Sequence, residues 1–141
     1  MLIVHAYIEV AELERGIAFY CDGLGLSLKR RIGANWVELE GASLPVFLLG
    51  NRPTVVDFGG ADLGGRRVRR SFERHWTPVH LDFVVADLDV VVARVSGLGG
   101  SLDRPVQSRD YGRMANMADP FGNGFDLIEF CGAGYDGISR S

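Results

Sequence analysis

His5-Ala6-Tyr7-Ile8-Glu9-Val10-Ala11-Glu12-Leu13-Glu14 and His80-Leu81-Asp82-Phe83-Val84-Val85-Ala86-Asp87-Leu88-Asp89 are one passage written twice, 75 positions apart. Further along, Ala18 lies over Ala93 and, with a one-residue gap, Gly23-Leu24-Gly25 lies over Gly97-Leu98-Gly99. Pro45-Val46-Phe47-Leu48-Leu49 corresponds more loosely to Asn123-Gly124-Phe125-Asp126-Leu127. A histidine, an acidic-Leu-acidic step and a Gly-Leu-Gly in the same order argue for duplication. The period is too long for a solenoid unit, so the chain reads as two similar modules forming one domain.

Each copy opens on a strand pattern, because its apolar residues alternate. Val4, Ala6, Ile8 and Val10 share one face, with His5, Tyr7 and Glu9 opposite. Val79, Leu81, Phe83 and Val85 share the other module's apolar face, opposite His80 and Asp82. A helix follows in each, carrying Leu13, Ile17, Phe19 and Tyr20 or Leu88, Val91, Val92 and Val95, and the Gly-Leu-Gly stretch stops it. Three shorter strands complete each module, over 26–32, 35–40 and 44–49, then over 101–107, 113–118 and 124–130. The turns are Asn51-Arg52-Pro53 and Asp119-Pro120-Phe121-Gly122-Asn123-Gly124. The expected fold is α+β: two βαβββ modules, 1–50 and 78–131, forming a cupped mixed sheet with helices on its outer face. Residues 51–77 read as an extended connection loosened by Gly59-Gly60 and Gly64-Gly65, and 132–141 as a loose tail.

The bulk properties exclude several functions. The 141 residues suit one domain, and 47% hydrophobic with 23% charged residues is ordinary for a globular chain. A net charge of −3 supplies no general attraction for phosphate backbones, so nucleic acid is not an expected partner. No apolar run approaches the roughly 18 residues of a membrane helix. Met1-Leu2-Ile3-Val4-His5 lacks the basic leader of a signal peptide, and Cys21 and Cys131 make no disulfide framework, so the cytoplasm is the expected compartment.

The period of two assigns the sheet's inner face His5, Tyr7, Glu9, Trp36, Glu38, Glu40, His80, Asp82, Met114, Asn116 and Asp126. That set is too polar for a core and rich in groups that ligate metals or move protons, so a small-molecule site is expected there. His5 and His80 are repeat-equivalent, and Asp126 is on the inner face of the last strand. Two imidazoles and a carboxylate with open positions suit one divalent ion: Fe(II), Mn(II), Zn(II) or Ni(II). The plainer reading, in which each histidine is a strand-start residue hydrogen-bonded to backbone, stays open.

The residues His5 with Glu12-Leu13-Glu14-Arg15, Phe19-Tyr20 with Gly23-Leu24-Gly25-Leu26, His80, and Asp119-Pro120-Phe121-Gly122-Asn123-Gly124-Phe125-Asp126 carry a resemblance. The chain from Leu2 to Phe130 resembles the vicinal oxygen chelate superfamily, which includes glyoxalase I, fosfomycin-resistance enzymes, extradiol dioxygenases and bleomycin-resistance proteins. The resemblance implies paired βαβββ modules around a divalent metal, often in a dimer. It places the first-strand histidine ligand on His5, the fifth-strand histidine on His80 and the final carboxylate on Asp126, where the family usually has Glu. The fourth-strand ligand of glyoxalase I falls near Leu48, which cannot bind metal, and this argues against efficient glyoxalase I activity.

The leading reading is a metal-dependent enzyme acting on a small substrate through two adjacent oxygens, with Glu38 moving protons and Tyr7, Trp36 and Asn116 contacting substrate. The alternative is a metal-free protein of the bleomycin-resistance type that sequesters a planar drug or metabolite on Trp36 and Tyr7. Exposed sheet edges predict a homodimer. Arg66-Arg67-Val68-Arg69-Arg70 is either an anion clamp or a solvated loop, Cys21 a packed helix residue, and Asp119-Pro120-Phe121-Gly122 a turn without a catalytic role.

Overall fold

The alternation around Ala6–Glu9 does form a strand, β1, and four further elements complete the first module: α1 (Leu13–Ala18), β2 (Ser27–Gly33), β3 (Trp36–Glu40) and β4 (Val46–Leu49). They make a mixed sheet in the order β1-β4-β3-β2, with β1 parallel to β4 and the other pairs antiparallel. Two short strands, β5 (Val55–Phe58) and β6 (Arg66–Arg69), pair as an antiparallel ribbon within the connection. The second module contains β7 (Leu81–Val84), α2 (Leu88–Gly97), β8 (Ser101–Leu102), β9 (Gln107–Arg109), β10 (Gly112–Ala118) and β11 (Gly124–Phe130). Its sheet runs β7-β11-β10, with β8 and β9 both along the far side of β10. The computed structural model describes residues 1–51, 55–58 and 66–140, with 55–58 and 66–68 described by backbone alone. The glycine pairs of the connection, Arg52-Pro53 and the side chains of Arg66, Arg67 and Val68 lie outside the described residues.

Several expectations shift in detail. The single strand anticipated over 101–107 is two, β8 and β9, with the chain leaving the sheet between them. The first helix stops at Ala18 and opens into a π-helical turn over Phe19–Gly23, which buries Phe19 and Tyr20 side by side. The tail is not loose throughout: Gly134–Gly137 forms a 3-10 turn because Tyr135 packs edge-on against Tyr111 and Phe130.

Both helices are held at their N-termini by their own module's last strand. Leu13 N–H donates to Asn51 Oδ1 (3.2 Å), just beyond β4, and Leu88 N–H donates to Glu129 Oε2 (2.7 Å) on β11. These bonds satisfy donors that a helix start leaves free. Asp87 adds an ordinary N-cap, accepting from Val90 N–H at 3.1 Å. Glu129 therefore points away from Asp126, as strand parity requires, and serves the helix.

One hydrophobic core joins the modules. Leu13, Phe19, Val37, Leu39 and Leu48 from the first pack with Leu88, Val95, Met117, Phe125 and Leu127 from the second. Polar contacts cross the same seam: Asn123 Nδ2 to Glu9 O (2.9 Å), Arg94 Nε to Gly23 O (2.7 Å) and Tyr20 hydroxyl to Asp119 Oδ2 (2.7 Å). The turn before β11 needs glycine at Gly122, where φ is +80° and a Cβ would lie 2.3 Å from Glu73 O.

The register corrects one assignment. On β4, Phe47 pairs with Tyr7 on one side and Glu38 on the other, whereas Leu48 pairs with Ile8 and Val37 in the core. On β11, Asp126 pairs with Asp82 and Asn116. The module-one counterpart of Asp126 is thus Phe47, not Leu48. The two last strands therefore align one residue away from the correspondence of Leu48 with Asp126, and a one-residue slip moves every side chain to the opposite face.

Candidate functional site

Asp82, Asp126 and Asn116 lie side by side on β7, β11 and β10. His80 precedes β7 by one residue, so it shares a face with Asp82 two positions on. Its Nε2 is 3.1 Å from Asp82 Oδ1 and 3.2 Å from Asp126 Oδ2. Ligand atoms of His80, Asp82 and Asp126 all fall within 4.8 Å of one another. Asp126 is buried, and Asn116 Nδ2 donates to its Oδ1 at 2.6 Å, which fixes the carboxylate plane. Burial, and then the negative charge of Asp126 beside it, push the Asp82 carboxyl above its usual value. Two acids crowded against one imidazole, with open space on one side, are a donor set suited to a divalent cation. Asp82 shares the inner face expected from sequence and joins His80 and Asp126 as an acid outside the expected ligand set, readable from its spacing of two from His80.

A cleft of about 470 Å³ opens over this group, lined by Trp76, His80, Asp103, Arg104, Asn116 and Asp126. Trp76 stands edge-on to the His80 ring at 5.4 Å between centroids. Its indole N–H donates to Asp103 Oδ2 (2.9 Å), and Arg74 lies over its ring (4.8 Å) while pairing with Asp103. That pairing, above all the hydrogen bond from Arg74, holds the Asp103 carboxyl below its usual range. Trp76 is hidden from a sequence reading because it sits in a loop, where no strand period says which way a side chain faces, and Arg104 because the strand expected over 101–107 breaks into a loop at that residue.

The corresponding face of module one is aromatic. Tyr7 stacks on Phe47 at 4.7 Å and 10° between planes, with Trp36 at 6.2 Å and His5 at 5.1 Å from the same phenyl ring. His5 is exposed at this platform and is not among the groups that converge on His80 and Asp126. The buried indole N–H of Trp36 has no hydrogen-bond partner among the described residues. Glu38, opposite Phe47, is buried and takes Lys29 Nζ at 3.0 Å and Arg30 Nε at 2.5 Å. These bonds, that from Lys29 first, lower its carboxyl below the usual value. Both Glu38 oxygens are engaged, and Glu40 is exposed. In the basic cluster, Arg70 is committed to Glu9, with Nη2 at 3.0 Å from Oε1.

Comparison with known proteins identifies the family and the fold. A family model described as a glyoxalase-like domain matches residues 5–128. An anthracycline biosynthesis protein, DnrV, from Streptomyces peucetius is 34% identical over 91 residues; these are 64% of this chain but 30% of that protein. A glyoxalase-related enzyme from Fulvimarina pelagi superposes with a TM-score of 0.69 at 18% identity, covering 95% of this chain and 94% of the other. The fosfomycin resistance protein FosX of Listeria monocytogenes gives 0.65 at 18% identity (93% and 94% covered). TnmS3, an antibiotic binding protein from Streptomyces sp. CB03234, gives 0.58 at 24% (93% and 99%). Through the match that runs from His5 to Ile128, and the paired modules that carry it, the chain belongs to the glyoxalase-like family of the vicinal oxygen chelate superfamily.

Proposed function

We propose that the protein is a divalent-metal-dependent enzyme acting on a small molecule through two adjacent oxygens, with the metal held by His80 and Asp126. The observation that carries this reading is the convergence of donors at 3.1–3.2 Å around His80 Nε2. Asp82 is the additional acid beside that pair. A bound divalent ion supplies Lewis acidity toward substrate oxygens. Asn116 orients Asp126, and the cleft beneath Trp76 receives the substrate. Glu38, engaged by Lys29 and Arg30, is in this account a charged anchor under the aromatic platform; to accept a proton it would first have to release them. Efficient glyoxalase I chemistry is not expected, because Phe47, the counterpart of Asp126, can neither ligate nor accept a proton.

Mn(II), Fe(II), Ni(II) and Zn(II) should each be tested by thermal unfolding of protein purified without a histidine tag. A ligand at 100 times its Kd stabilises the native state by about 2.7 kcal/mol, roughly 5–10 °C for a domain of this size. At least one metal should produce that shift in the wild type and none in Asp126→Ala. No shift with any metal would favour a second reading, metal-free binding of a planar molecule. That reading has its own support in the stacked Tyr7–Phe47 pair and in the Trp36 N–H, which has no partner among the described residues.

In the enzyme reading the third ligand is His5, supplied by a second copy in a cytoplasmic homodimer. Among the described residues, β1 and β7 are end strands of their sheets. Leu2, Ile3, Val4 and Val79, which precede these strands, and Val84 at the end of β7 are apolar and exposed. Uncovered edges and such patches favour association. Light scattering at micromolar concentration should give twice the monomer mass, and a monomeric mass would remove His5 from the site.

A further inference from the structure

Arg104 sits on the loop between β8 and β9 and lines the cleft above His80 and Asp126. Its Nε donates to Asn116 Oδ1 at 2.7 Å, so one edge of the guanidinium is fixed. Its two Nη nitrogens make no hydrogen bond or ion pair with any described residue. The other cations near the cleft differ in this respect: Arg74 is spent on Asp103, on backbone carbonyls and on the Trp76 ring. Asp103, the adjacent acid, feels the charge of Arg104 but takes its hydrogen bonds from Arg74 and Trp76. The guanidinium is therefore oriented by one hydrogen bond, uncommitted at its other edge, and placed one side chain away from the proposed metal ligands through Asn116.

We propose that Arg104 is a specificity residue that takes a carboxylate or similar anionic group of the substrate. This rests on the metal-site reading for what the rest of the substrate does, and it narrows the substrate class to small anions that carry adjacent oxygens elsewhere on the molecule. A guanidinium presents paired N–H groups that match a carboxylate edge, and an ionised partner roughly doubles the strength of each bond. Trp76, forming the cleft wall, offers a flat apolar surface to the body of such a ligand.

The test compares 3,4-dihydroxybenzoate, 3,4-dihydroxybenzamide and catechol by calorimetric titration, with and without saturating Mn(II). The wild type should prefer the benzoate over the benzamide by about tenfold or more. Arg104→Gln should bring the two to equal affinity, and Arg104→Lys should recover part of the preference. Asn116 Oδ1 still receives Gln107 Nε2 at 3.1 Å when Arg104 is lost, so Mn(II) affinity should be the same in Arg104→Gln and wild type. Absence of a benzoate preference in the wild type, or its persistence in Arg104→Gln, overturns the proposal. A benzoate preference that Arg104→Gln abolishes, in a protein that binds no Mn(II), supports Arg104 and refutes the metal reading alone.

Discussion

Replacing Asp119 with alanine is expected to cost about 4 kcal/mol and to lower the melting temperature by roughly 10–15 °C. Asp119 is buried, and its two oxygens accept four hydrogen bonds. Oδ1 takes the backbone N–H groups of Phe121 (2.8 Å) and Asn123 (3.0 Å), while Oδ2 takes the Tyr20 hydroxyl (2.7 Å) and Asn123 Nδ2 (2.8 Å). Truncation leaves the Phe121 and Asn123 backbone N–H groups and the Tyr20 hydroxyl without their acceptor, while Asn123 Nδ2 keeps only its bond to Glu9 O. Each buried orphan costs about 1–3 kcal/mol, and the sum is discounted because Asn123 has partial access to solvent and neighbouring losses do not add. Tyr20→Phe removes one of the four and should cost about 2 kcal/mol, with strong coupling to Asp119→Ala in a double-mutant cycle. Thermal unfolding of the three variants checks this. A melting temperature for Asp119→Ala within 3 °C of wild type would show that the hub is not holding the modules together.

His80→Ala should weaken divalent-metal affinity by at least about 100-fold. Loss of an outer partner alone typically costs 10- to 100-fold, and here a ligand itself is removed. The variant also leaves Asp82 and Asp126 facing each other without the imidazole between them, so some destabilisation is expected and should be measured alongside. Asp126→Glu should retain metal within about tenfold, because the longer carboxylate keeps the same donor oxygen. Titration of Mn(II) into each variant checks both statements. Unchanged affinity in His80→Ala would move the site elsewhere.

The duplicated passage made the architecture legible because repeat and strand period agree: a histidine opens each copy, and the same alternation turns the half-buried Ile8 and Phe83 against the core. The positions of His80, Asp82 and Asp126 on one face followed from parity alone. What failed was the register of β4, where Pro45 to Leu49 offers four apolar residues in five and no polar residue to mark a face. Only pairing with Tyr7 and Glu38 fixes Phe47 inward. Glu38 had the right face but hidden partners, since Lys29 and Arg30 are adjacent in sequence and a bulge in β2 lets both reach it. Trp76 was illegible for a different reason, and so was Arg104, where the strand expected over 101–107 gives way to a loop. Loop side chains are placed by tertiary bonds, here those of Arg74, Asp103 and Asn116, that no local pattern announces.

The most direct test of the metal-site reading is the metal content, by elemental analysis, of protein produced without a histidine tag, reconstituted with Mn(II) or Fe(II) and freed of loose ions. The reading gives close to one equivalent per chain in the wild type and little in His80→Ala or Asp126→Ala. Equal content in the wild type and both variants would contradict it.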